Sequence, residues 1–168
     1  FEQQSQCRNE DHMNRRIFTV AAAASALLLG SCGPTPQLKV KEAVLTLSPV
    51  DSNPSAFHFN VYGGPEDVYL LRVSSPSAIR VEMHDVTVDP KTGAVSMPLQ
   101  RVRIPADETV AFKKGGKHVM MWGVNLIPRR LGEIEAEFLF SNNVRILVKA
   151  RVQEVDGTVP DEKKAIDG

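Results

Sequence analysis

From residue 38 onward the most regular signal in the chain is alternation of apolar and polar side chains. Leu38-Lys39-Val40-Lys41, Phe57-His58-Phe59-Asn60-Val61 and Ile79-Arg80-Val81-Glu82-Met83-His84 each repeat with a period of two. That is the period at which a strand turns one face to a core and the other to water. Further strands are expected over 67–73, 99–104, 109–112, 118–125, 133–140 and 143–150. Turn-forming clusters punctuate them: Ser52-Asn53-Pro54, Gly63-Gly64-Pro65, Asp89-Pro90-Lys91-Thr92-Gly93, Gly115-Gly116 and Ser141-Asn142-Asn143. No segment carries a convincing helical period. Eight or so short strands at this spacing predict an all-β sandwich or Greek-key barrel.

The two ends break the pattern. From Met13 the chain reads as a secretory signal over residues 13–31, with Arg15 and Arg16 ahead of an apolar run from Ile17 to Leu29. The run is too short for a spanning helix. Leu29-Gly30-Ser31-Cys32 resembles the bacterial lipobox, which implies a lipid on Cys32 as the first mature residue. The arginine pair only loosely resembles a twin-arginine signal, since two arginines are common in such leaders. Residues 1–12 precede the signal and are expected to come from a start upstream of the natural one. Residues 32–37 form a lipidated tether, 38–152 the β domain, and 153–168, polar and poor in apolar side chains, a disordered tail.

Composition changes this picture little until it is read by position. The 168 residues carry 20 basic and 20 acidic side chains, and three of each sign lie before Cys32, so the mature domain is neutral as well. A neutral domain lacks the footprint of a nucleic-acid binder. The two cysteines are Cys7 and Cys32. With the first removed and the second lipidated, an exported domain has no disulfide, thiolate ligand or cysteine nucleophile.

What remains concentrated is methionine and histidine. All four methionines after Cys32 and two of the three histidines fall within residues 83–121. Alternation puts His84 on the face opposite Met83, and groups His118 with Met120 and Trp122 against Val119 and Met121. An imidazole and a thioether two residues apart on one strand face suit a soft monovalent ion: both are neutral, and thioether sulfur selects Cu(I) over Zn(II).

At His84, Met97, His118 and Met120 the chain resembles the periplasmic PCu(A)C copper chaperones. Their ligands are a His, a Met about a dozen residues on, and a His-x-Met roughly twenty further. The flanks Ser74-Ser75-Pro76-Ser77-Ala78 and Lys114-Gly115-Gly116-Lys117 agree, and the likeness spans about residues 38–150. Val86 and Trp122 stand where many members carry additional methionines. The resemblance implies a cupredoxin-like Greek-key β-sandwich or barrel in the bacterial periplasm. It implies a Cu(I) site at His84, Met97, His118 and Met120, and delivery to a copper-accepting protein such as a cytochrome c oxidase subunit or another carrier. The membrane would be reached through the lipid on Cys32.

Blander roles are assigned alongside. Met83 and Met121 are expected in the core, and His58, between two phenylalanines and without a methionine partner, at the surface. Lys113-Lys114 and Arg129-Arg130 read as solvated turn charges, available to an acidic partner. No nucleophile motif or phosphate loop supports an enzyme. The alternative function is a β-sandwich lipoprotein that acts as an assembly or scaffolding module without metal.

Overall fold

In the computed structural model, residues 37–91 and 93–158 are described. The expected signal, lipidation site and start-derived segment therefore lie outside the described residues, as does the tail beyond Thr158. The alternating stretches form ten strands: β1 (Lys39–Thr46), β2 (Ser55–Tyr62), β3 (Val68–Ser74), β4 (Arg80–Asp89), β5 (Gly93–Leu99), β6 (Val102–Ile104), β7 (Thr109–Phe112), β8 (His118–Trp122), β9 (Glu133–Phe140) and β10 (Arg145–Gln153). The chain is all-β in character, as its alternation predicts.

Two local expectations fail. The segment 93–98, outside every expected strand, belongs to β5, and 99–104 is split between the end of β5 and the short β6. A six-residue helix, α1 (Leu126–Leu131), follows β8 where no helix was expected. It is held by its caps rather than by an apolar face. Asn125 accepts from the Ile127 N–H at 3.0 Å, and Gly132, in the left-handed region at φ 67°, donates to the Pro128 carbonyl. Leu126, Ile127 and Leu131 remain exposed. Arg129 and Arg130 belong to its last turn, where cations favour the helix C-terminus.

The strands make one continuous sheet in the order β5-β4-β8-β2-β1-β10-β9-β3-β6, with β7 also paired to β2. All pairings are antiparallel except that of β1 with β10. Three ladder steps separate β2 from β9 along the sheet, a distance of about 14 Å at the usual strand spacing. Yet the ring of Phe59 on β2 meets Phe138 on β9 edge-on with centroids 4.8 Å apart. The sheet is therefore rolled so that its two halves face each other, as in a sandwich. Phe57, Phe59, Phe112, Phe138 and Phe140 fill the space between them.

β2 shows how the sequence dictates this packing. Ser55, Phe57, Phe59 and Val61 are buried while Ala56, His58, Asn60 and Tyr62 alternate outward. β4 and β8 follow the same rule: Met83, Val119 and Met121 are core, as their positions predict. The outward set of these two strands is left for chemistry.

Candidate metal site

β4 and β8 pair antiparallel with His84 opposite His118, Glu82 opposite Met120 and Arg80 opposite Trp122. Directly opposed residues share a face, with Cβ atoms about 5 Å apart. The outer face thus carries three consecutive rows: two imidazoles, a carboxylate beside a thioether, and a guanidinium over an indole. The His84 and His118 rings lie 6.0 Å apart between centroids and 27° from parallel, and His84 is 6.3 Å from the Trp122 ring.

The two imidazoles are held differently. His118 is only 8% exposed, and its Nδ1 lies 2.8 Å from the Gly116 carbonyl. A carbonyl only accepts, so Nδ1 carries the proton and Nε2 keeps its lone pair for a metal. At His84, Nε2 lies 3.3 Å from a carboxylate oxygen of Glu82 and Nδ1 lies 3.1 Å from the Ser96 hydroxyl. The Glu82 carboxylate accepts from Nε2–H, and Ser96 then donates to Nδ1. Because a hydroxyl also accepts, the ring can move its proton to Nδ1 and free Nε2 without losing the Ser96 bond.

Met97 is not brought to this face. In the β4–β5 ladder Met97 stands opposite Asp85, while Ser96 stands opposite Val86 and Pro98 opposite His84. The Ser96–His84 hydrogen bond places Ser96 on the imidazole side, so its neighbour Met97 projects from the other side of edge strand β5, where it is 51% exposed. That other side carries Asp85, whose carboxylate pairs with Lys117 Nζ at 3.1 Å. Of the four ligands expected from the sequence, His84, His118 and Met120 share the outer face, and Met97 stands on the other side of the sheet. Spacing alone could not reveal this, because a hairpin register one residue different would exchange Ser96 and Met97.

Glu82, and His58, which the sequence assigns to the surface, share this outer face. Glu82 was visible as the residue two before His84 on the same alternating face. His58 projects from the outward face of β2, the strand that pairs with β8 through Ala56 opposite Met120 and Phe57 opposite Val119. Its imidazole is held below the ordinary value of 6.5, first by burial and then by repulsion from His118, when that ring is protonated, and from Lys114.

Among the described residues no three His, Cys, Asp or Glu side chains already stand close enough to hold an ion. A metal here must be met by the thioether as well, or must draw its ligands together. Arg80 caps the far row, its guanidinium 3.9 Å from the Trp122 ring centre. A surface cavity of about 370 Å³, lined by Ser48, Asp51, Asn53, Asn125 and Arg129 among others, includes none of the predicted ligands.

The rolled β-sheet is similar in fold to solved PCuAC domains. The fold is similar to the copper-bound PCuAC domain from PmoF2, with a TM-score of 0.58 at 15% identity, covering 73% of this chain and 97% of that one. It is also similar to the Cu(I) form of DR1885 from Deinococcus radiodurans, with a TM-score of 0.51 at 18% identity, covering 80% and 85%. At these identities the likeness is one of fold. Residues 38–152 match the model of the LpqE-like lipoproteins, and the chain belongs to that family. No curated protein matches it. No helix among the described residues is long and apolar enough to cross a membrane.

Proposed function

We propose that this protein is an extracytoplasmic copper carrier that binds Cu(I) through His84, His118 and Met120 and hands it to a copper-accepting protein. The carrying observation is the ladder register, which sets His84 directly opposite His118 with Met120 on the same outer face. Two neutral imidazoles and a thioether leave the ion's charge uncancelled and suit the softer oxidation state. A site on a sheet face is open to a partner, as a carrier requires and a buried catalytic centre does not. The copper-bound relatives of the same fold support the cargo, and the lipoprotein family supports attachment through Cys32 at a bacterial periplasmic membrane. Cytochrome c oxidase assembly is the destination implied by the PCu(A)C resemblance.

The test is anaerobic titration with Cu(I) in competition with a coloured chelator. One equivalent should bind, and His118→Ala or Met120→Leu should weaken binding by at least about tenfold, equivalent to about 1.4 kcal/mol. Unchanged competition in both variants would refute the assignment. Transfer of the bound ion to a copper-free oxidase subunit then tests the destination.

A further inference from the structure

The face holds one donor for which a Cu(I) site has no use. Glu82 stands directly across the ladder from Met120, in the row beside the histidine pair. One of its oxygens lies 3.3 Å from Nε2 of His84, the atom a metal would take, while the other faces Arg80 Nε at 3.6 Å. We infer that Glu82 is an alternative third ligand, so that the His84–His118 pair takes Cu(I) with Met120 from β8 and Cu(II) with Glu82 from β4. The inference rests on the copper reading above and extends it to a second oxidation state of the cargo.

The chemistry follows from the donors. Imidazole serves both oxidation states, thioether favours the monovalent ion, and carboxylate favours the harder divalent one. The ladder offers both third donors at the same level of the sheet, one on each side of the ion's approach. When Nε2 of His84 gives its lone pair to the metal, Glu82 loses the proton it accepts from. Ser96 meanwhile satisfies the new Nδ1–H. The freed carboxylate is then next to a cation, with its side chain 41% exposed and able to swing. These ligands are not gathered beforehand, so the ion itself closes the set.

A purely orienting Glu82 would behave differently, and the amide variant separates the two roles. Glu82→Gln keeps an acceptor for His84 but removes the anion. Purified protein is titrated with Cu(II), followed by electron paramagnetic resonance and competition with a chelating amino acid, and separately with Cu(I) as above. The expected result is one Cu(II) in the wild type, with a Cu(II)-to-Cu(I) affinity ratio at least about tenfold lower in both Glu82→Gln and Glu82→Ala. Met120→Leu should show the reverse. A Glu82→Gln spectrum and affinity equal to wild type would overturn the inference, as would an equal loss of both ions. Wild type that takes Cu(I) but not Cu(II) sinks this inference alone, whereas wild type that takes neither sinks the copper reading too.

Discussion

His118 shows how much a single residue's role depends on its hydrogen bond. Its Nδ1 is committed to the Gly116 carbonyl, so the ring enters binding with its lone pair already placed, whereas His84 must first exchange protons between Glu82 and Ser96. That each imidazole turns away from its core-facing neighbours, Met83 and Val119, was legible in the sequence, from alternation. Their tautomers were not, because the partners come from a turn and from another strand. Away from the site, Asp67 accepts from the Ala106 N–H at 2.8 Å and pairs with Arg103, and these hold its carboxyl below the ordinary carboxylate value. A depressed carboxylate contributes stability that is fully present above its unfolded value, near 3.8, and is lost as pH falls through the folded one. Asp67→Asn should therefore lower stability near neutrality and flatten the acid limb of a stability-versus-pH curve, the two proteins converging once pH falls below the folded value. Gly63 is constrained by space: a Cβ there would lie 2.1 Å from the Pro105 carbonyl oxygen and 3.0 Å from that of Glu108. Both are backbone atoms that cannot step aside. Gly63→Ala should cost on the order of 2 kcal/mol in denaturant unfolding, and a neutral result would mean that the β6–β7 loop yields.

Among elements, the β4–β5 hairpin decides which side chains share the histidine face. Asp89 pairs with Gly93, which takes φ 84° in the left-handed region. Counting inward from that pair puts Ser96, not Met97, on the histidine face. The sequence shows a turn at Asp89-Pro90-Lys91-Thr92-Gly93 but not its internal geometry, and a one-residue slip reverses every side chain beyond it. The consequence is measurable. Met97→Leu should leave Cu(I) affinity within about twofold of wild type. A loss of affinity in Met97→Leu would require a different hairpin. α1 escaped sequence reading for a related reason. Its caps at Asn125 and Gly132 hold it, while Leu126, Ile127 and Leu131 lie exposed, so no apolar period announces it.

Over the whole molecule, the rolled sheet separates stability from chemistry. The inward faces of β2 and β9 meet through Phe57, Phe59 and Phe138, while the outward faces of β4 and β8 carry the imidazoles and thioether. Fold class was legible because alternation is a local property; the strand order, with β8 between β4 and β2 and β1 parallel to β10, was not, since it depends on non-local pairing. Phe138→Ala should cost about 3–5 kcal/mol of unfolding free energy, and Met120→Leu, on the outer face, should cost little. In the proposed site copper binds where β4 pairs with β8, with Met120 as the sulfur donor and Met97 outside the set. Methionine-methyl NMR of the protein during anaerobic Cu(I) titration tests it most directly. The Met120 methyl signal should shift to saturation at one equivalent while those of Met83, Met97 and Met121 stay close to their starting positions. A Met97 signal that moves in step with Met120, or a Met120 signal that does not move, would contradict it.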